Sequence, residues 1–273
     1  MSGLLNPCLE VNRTVIIGDV HGCTQELLAL LRMTRPRRAC GDTLIFLGDV
    51  ISKGPHPLEA LRMAKQAIEH VGAGELIIGN HEAGLLHWLA QRDAGIPFEL
   101  RQGGGEGNEF VAQSLDDAEI TWLRARPYYL RLPAHGVLLV HAGLRIGKPL
   151  KKQRRAHLVS IRSVDANGKA SNHVGNLSWA SQWRGPEHVI FGHDAARGLQ
   201  RHPLATGIDT GVVYGGGLSA VVLPTQSLFY VPAHTMWCVP EGRVNMTAVS
   251  PNCVKSHRIH PRTSSLLTSE PFG

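Results

Sequence analysis

Short apolar runs, each closed by glycine and then a polar side chain, recur along the chain. Thr14-Val15-Ile16-Ile17 leads into Gly18-Asp19-Val20-His21-Gly22, Thr43-Leu44-Ile45-Phe46-Leu47 into Gly48-Asp49, and Glu75-Leu76-Ile77-Ile78 into Gly79-Asn80-His81-Glu82. Runs that are apolar throughout, rather than alternating, fit strands buried on both faces of a sheet. Helix-period segments separate them: residues 23–35, with Leu27, Leu28, Leu31 and Met33 apolar and Pro36 as the stop, and residues 57–70. Asp19 and Asp49 lie 30 residues apart, and Asp49 and Asn80 lie 31 apart. Strand, turn, helix, strand at this period is the rhythm of a parallel α/β sheet. Right-handed crossovers then bring the polar turns to one sheet edge, where such folds build their sites.

Further along, residues 83–92 read as a helix, 102–107 as a flexible loop, and 114–126 as a helix opened by Ser114 and Asp116 and stopped by Pro127. This stretch, 83–131, is expected to form a helical insert over the sheet edge. Strands resume at 128–133 and 136–140, the latter ending in His141-Ala142-Gly143. A long loop carrying Arg162, Trp179, Trp183 and Arg184 is expected before the strand 189–191, which Gly192-His193-Asp194 closes. Strands at 218–223 and 228–231 complete a single domain spanning 14–240. Residues 1–13 read as an extension and 241–273 as an extended or disordered tail, whose His257 and His260 are taken as incidental.

At 273 residues, 43% hydrophobic and 18% charged, the composition is that of a globular protein with a substantial core. No apolar run is long enough to span a membrane and no signal peptide is evident, so a cytoplasmic protein with no membrane contact is expected. Cys8, Cys23, Cys40, Cys238 and Cys253 are odd in number and lack C-x-x-C spacing, which suits structural thiols in a reducing compartment. The net charge of +6 is compatible with an anionic substrate, and the basic run 148–155 would suit a polyanion or a solvated surface equally.

Candidate chemistry sits at the ends of the apolar runs: Asp19, His21, Asp49, Asn80, His81, His141 and His193. Oxygen and imidazole donors without thiolate suit Mn, Fe, Zn or Mg rather than a structural zinc site. Asp49, in the middle of the set, is the natural bridge between two ions. A pair of ions about 3.5–4 Å apart can clamp a phosphate and activate water for in-line attack.

In order along the chain, GDVHG (18–22), GDVISKGP (48–55), GNHE (79–82), HAG (141–143) and GHDA (192–195) resemble the signature of phosphoprotein-phosphatase-type metallophosphoesterases. The SKGP variant, VIFGHDA and IDTGVVYGG (208–216) resemble the ApaH-like phosphatases, a branch related to bacterial symmetrical diadenosine tetraphosphatases. The resemblance implies a calcineurin-like α/β/β/α sandwich. It implies Asp19 and His21 on the first metal, Asp49 bridging, and Asn80, His141 and His193 on the second. His81 would be the acid that protonates the leaving oxygen. Two divalent ions are expected, manganese first, with Fe, Zn, Mg or Co as alternatives. Position 195 is Ala, which sets aside the branch whose motif reads G-H-x-H.

The protein-phosphatase subfamily carries Asp-Arg where this chain has Ser52-Lys53. The missing Asp would normally orient His81. Lys53 keeps attraction for phosphate but loses the bidentate grip of a guanidinium. A departing phosphate or nucleotide leaves more readily than an alkoxide and needs less help from an acid, so both changes favour phosphoanhydride substrates. Lys53, Arg162 and Arg184 are the candidate phosphate-binding cations. The expected function is hydrolysis of a phosphoanhydride in a phosphorylated small molecule or nucleotide: a dinucleoside polyphosphate or, at an RNA 5′ end, the mRNA cap. The alternatives are a phosphoserine/phosphothreonine protein phosphatase, an endopolyphosphatase and a catalytically silent binding module. No obligate protein partner is evident.

Overall fold

A computed structural model describes residues 12–96 and 105–239. Expectations for residues 1–11, for the start of the loop at 102–107, and for the tail with His257 and His260 lie outside the described residues.

In chain order the elements are β1 (Thr14–Ile17), α1 (Thr24–Thr34), β2 (Thr43–Phe46), α2 (Pro57–Val71), β3 (Gly74–Leu76), α3 (Asn80–Asp93), α4 (Gly105–Ser114) and α5 (Asp117–Arg124). There follow β4 (Tyr129–Leu132), β5 (Val137–Val140), α6 (Arg155–Ser160), β6 (Ser163–Val164), β7 (Ala170–Ser171), α7 (Trp179–Gln182), β8 (His188–Phe191), β9 (Gln200–His202), β10 (Ala205–Gly207), β11 (Gly217–Leu223) and β12 (Ser227–Pro232).

Two five-stranded sheets form, ordered β12-β11-β1-β2-β3 and β4-β5-β8-β10-β9. In the first, β1, β2 and β3 run parallel with antiparallel strands on the β11 side. In the second, β5, β8 and β10 are parallel and β4 and β9 antiparallel.

Alternation along each strand explains why the sheets stack. Val15 and Ile17 of β1 pack with Leu27 and Leu30 of α1, whereas Ile16 between them faces the other sheet. In β2, Leu44 and Phe46 meet the helices and Ile45 meets the second sheet. On the other side, Val137 and Leu139 of β5 and Ile190 of β8 face inward, while Leu138, Val140, Val189 and Phe191 pack outward with Trp179 of α7. Every strand at the centre is thus buried on both faces, which is why its sequence does not alternate between apolar and polar. The layers are the expected α/β/β/α sandwich.

The helical stretch after β3 differs from expectation. Ser114 closes α4 instead of opening the next helix, and α5 starts at Asp117 with Asp116 as its cap, accepting the Glu119 amide at 2.7 Å. Val111, Leu115, Ile120 and Leu123 join Leu85 and Leu89 of α3 in the core of the first sheet. Met33 is 50% exposed, and Leu30 with Thr34 takes the inner face of α1. The expected long loop before β8 contains α6, the β6–β7 hairpin and α7. Cys23 and Cys238 are free thiols, but Cys40 is disulfide-bonded. The cysteine pattern therefore does not argue for a reducing compartment. Among the described residues no helix is long and apolar enough to cross a membrane.

Candidate metal centre

The parallel order of β1, β2 and β3 places their C-terminal turns side by side, and backbone bonds lock the turns together. The amides of Val20 and His21 both donate to the Asp49 carbonyl, at 3.1 and 2.9 Å, and the Gly22 amide donates to Val50 at 2.9 Å. Two glycines are fixed by close approach: a Cβ on Gly192 would strike the Asp19 carboxylate, and one on Gly79 would strike that of Asp49. His21, Asp49, Ser52, Lys53 and His193 all have φ between 46° and 65°. Left-handed backbone at non-glycine residues costs on the order of 1 kcal/mol each and persists only where the surroundings impose it.

Glu82, in the first turn of α3, does much of the imposing. Its buried carboxylate accepts the amides of Asp49, Val50 and Ile51 at 2.8, 2.9 and 3.3 Å, and that of Gly79 at 3.0 Å. Burial and the neighbouring Asp49 push its pKa up to about 7 against those four donors. In return Asp49 Oδ1 accepts the His81 amide at the start of α3, at 2.9 Å, an anion at the positive end of a helix.

Asp49 Oδ2 is the focus of the site. The Nε2 atoms of His141, His21 and His81 lie 3.5, 3.7 and 3.9 Å from it. Two groups capable of holding an ion result, His21 with Asp49 and His81, and Asp49 with His141 and His193; within each the ligand atoms lie within 4.8 Å of one another. Asp49 belongs to both. Asn80 Oδ1 is 3.0 Å from His141 Nε2, and the Asp19 carboxylate accepts the His193 amide at 3.1 Å.

The donor chemistry fits divalent cations. Each ligand imidazole gives one nitrogen to a backbone carbonyl: His21 Nδ1 to Ile51 at 3.2 Å, His141 Nδ1 to Leu47 at 2.9 Å, and His193 Nε2 to Ser160 at 3.2 Å. Fixing that proton leaves the other nitrogen as a lone pair, the arrangement that orients metal-binding histidines. His141 also ties the end of β5 to the end of β2, and so joins the two sheets at the site.

Burial drives the protonation states. It pushes His21 and His193 well down, helped by the charges of Lys53 and Arg162 respectively. Burial would lower His141 too, but the Asp49 carboxylate lifts it to about 9. Burial raises Asp19 well above the usual carboxylate range, with Asp209 adding to the effect. Asp49 is held well below that range because His141 and His81 outweigh its burial.

His81 is lowered to about 4, chiefly by burial, with Lys53 and His141 adding to the shift. Its Nδ1 lies 2.5 Å from the Ser52 hydroxyl. Ser52 therefore stands where an orienting group is needed, a role that the sequence alone presented as a loss. A hydroxyl fixes the ring but, unlike a carboxylate, adds no charge to favour imidazolium.

Of the candidate cations, Lys53 is drawn into the centre. Its Nζ is 3.2 Å from His21 Nε2 and lies 5.3 Å from the centroid of the Tyr214 ring. Arg162 lies at the rim, giving Nη2 to the His193 carbonyl at 3.2 Å with Nε 3.8 Å from Asp194 Oδ1, a buried atom with no hydrogen bond among the described residues. Arg184 is not brought in; it is exposed on the loop after α7 and donates to the carbonyls of Ser181 and Trp183 at 3.0 and 3.2 Å.

Three contributors were not singled out from the sequence: Glu82, Tyr214 and Asp209. Asp209 is buried, accepts the Gly211 amide at 3.0 Å, and has its pKa raised to about 6 by burial. Its signal was present, since Ile208-Asp209 repeats the apolar-then-acid ending of β1 and β2.

Comparison with known proteins agrees with this geometry. Residues 12–217 match the calcineurin-like phosphoesterase family. An asymmetrical bis(5'-nucleosyl)-tetraphosphatase PrpE of Bacillus anthracis is 27% identical over 239 residues, covering 83% of this chain and 96% of its own length. The enzyme of the same name from Bacillus cereus is 26% identical over the same span. A solved structure of a candidate diadenosine tetraphosphatase is 36% identical, covers 82% of this chain and 94% of its own, and superposes with a TM-score of 0.70. The chain belongs to the calcineurin-like phosphoesterases, hydrolases of phosphate esters or anhydrides that work with divalent metal ions.

Proposed function

We propose that the protein hydrolyses a phosphoanhydride bond of a nucleotide, with a dinucleoside polyphosphate such as diadenosine tetraphosphate as the substrate class. The observation that carries this reading is the pairing of Ser52 with His81 beside Lys53: an acid oriented without a carboxylate, next to a compact cation. Two divalent ions, manganese first, would be held by Asp19, His21, Asp49, Asn80, His141 and His193. They would supply charge neutralisation at phosphorus and an activated water. His81 Nε2 points toward Asp49 and is placed to give a proton to the departing oxygen. With its pKa lowered to about 4 it is largely neutral near pH 7 and has little acid to offer, which suits a leaving group that departs as a stable phosphate anion. One lone pair serves one partner, so an ion on His21 leaves Lys53 to a substrate phosphate. Arg162, half-buried beside His193, is the second phosphate contact.

The Bacillus relatives are named asymmetrical, and the same cleavage is inferred here: diadenosine tetraphosphate plus water giving ATP and AMP. A panel of diadenosine tetraphosphate, capped RNA, inorganic polyphosphate and a phosphoserine peptide, each with manganese, tests the reading. Turnover of the tetraphosphate to ATP and AMP is expected to dominate. Two ADP as product would contradict the asymmetry. Fast phosphopeptide turnover with inert anhydrides would favour the protein-phosphatase alternative, and bound metal with no turnover would favour a binding module.

A further inference from the structure

A cavity of about 820 Å³ is walled by α3, by the chain around Tyr128 and Tyr129, and by the segment leading into α6. Its size falls within the range of about 300–1,000 Å³ usual for small-molecule sites. Its walls are the flanks of the segments that carry the metal-binding residues. Tyr129 is in register with Val140, the residue before His141. The Pro127 carbonyl accepts the Ile78 amide at 2.8 Å, two residues before Asn80, and Ala83 follows His81 by two. The Leu158 carbonyl accepts the Ala142 amide at 2.8 Å, and Leu158 lies two residues before Ser160, which holds His193. These bonds tie the cavity walls to the segments that carry Asn80, His141 and His193.

Among the described residues the lining is cationic and aromatic, with no carboxylate. Arg124 and Arg126 are engaged by Asp93 at 2.7 Å and Glu75 at 2.5 Å. Among the described residues no carboxylate pairs with Lys151 or Arg155, and both are exposed. The Arg155 guanidinium lies 4.8 Å from the centroid of the Tyr128 ring, and Tyr129 is 37% exposed beside it. Stacked planar groups next to unneutralised cations form a site for a flat, π-faced, anionic ligand.

We propose that this cavity binds the nucleotide arm of the substrate beyond the scissile phosphate. Lys151 and Arg155 take its phosphates, and Tyr128 and Tyr129 take its base. This rests on the phosphoanhydride reading above and adds to it the surface that distinguishes a long nucleotide substrate from a short phosphate ester.

Calorimetric titration of the manganese-loaded protein with a methylene-bridged, non-cleavable analogue of diadenosine tetraphosphate tests the site. The Lys151→Ala/Arg155→Ala double variant is expected to bind it roughly tenfold or more weakly, the scale of a lost charge-assisted contact. A non-cleavable triphosphate without nucleosides should lose affinity for that variant as well. Tyr129→Ala should weaken the dinucleotide analogue alone, and Tyr129→Phe should restore it. The control Lys169→Ala/Arg201→Ala removes the same charge from exposed positions elsewhere and should leave the dissociation constant unchanged. Equal affinity of wild type and the Lys151/Arg155 variant, no measurable binding by wild type, or an equal loss in the control would each overturn the proposal. Hydrolysis is scored separately. Binding that follows the cavity residues without anhydride cleavage would defeat the proposed reaction but not the site, and cleavage with unchanged binding would defeat the site but not the reaction.

Discussion

At the scale of single residues the proposed chemistry rests on the Ser52–His81 pair. A hydroxyl on Nδ1 orients the ring without raising its pKa, so the proton His81 can give matters most when the leaving group is poor. His81→Asn is therefore expected to slow hydrolysis of a phosphoserine peptide, whose leaving group is an alkoxide, by more than tenfold relative to its effect on diadenosine tetraphosphate, within the roughly 10²–10⁴-fold range of general acid–base contributions. Equal losses in kcat would contradict this account of Ser52. Ser52→Asp places a carboxylate beside the imidazole and should raise the His81 pKa from about 4, moving the pH profile for the monoester toward higher pH. The seven residues at the strand ends could be read from the sequence because each follows an apolar run. Ser52, Glu82 and Tyr214 could not, because their roles come from contacts across 29, 33 and more than 100 positions of chain.

Glu82 shows how one element holds another in place. It links α3 to the turn after β2 through the three amides of Asp49, Val50 and Ile51, and that turn carries Asp49, Ser52 and Lys53 in left-handed backbone. Glu82→Gln keeps the shape but turns an NH2 toward donors, leaving buried amides without an acceptor at a cost of about 1–3 kcal/mol each. A fall in thermal midpoint together with weaker manganese binding is expected. A variant with wild-type stability and affinity would show that the turn holds itself. The elements were legible where the hydrophobic period was clear: β1, β2, α2, β5, β8 and β11 lie within two residues of expectation. Misreadings fell where local signals compete. A glycine-rich stretch concealed the start of α4, Ser114 resembled a cap but closes that helix, and polar residues hid α6 and α7. At α1 the apolar count included Met33 because composition does not show which side of a helix meets the sheet.

Across the whole molecule, pH acts through stability and through metal loading. Asp42 is buried and bonded to Arg13 at 2.6 Å; burial pushes its pKa up, but Arg13 and the Arg37 amide outweigh that and hold it below the usual value. A depressed carboxylate contributes stability above its unfolded pKa of about 3.9, lost as pH falls through the folded value. Asp42→Asn should therefore be less stable than wild type at pH 7 by about 1–3 kcal/mol, and the gap should close as pH falls through the folded value. A gap that persists in acid would place the effect in packing. Metal loading has the opposite partner: His141, lifted to about 9 in the protein alone, must release its proton to bind a cation. Manganese affinity should rise steadily between pH 6 and 9 in a competition titration, and a flat profile would contradict the placement of His141.

One carboxylate, Asp49, belongs to both groups of residues that could hold a cation, and in the proposed reaction it would join the two sites. Metal content and turnover of Asp49→Asn against wild type test it most directly. Two divalent ions per chain are expected in wild type, at most one in the variant, with turnover of diadenosine tetraphosphate reduced by several orders of magnitude. A variant that keeps both ions and most of its activity would contradict the dinuclear centre.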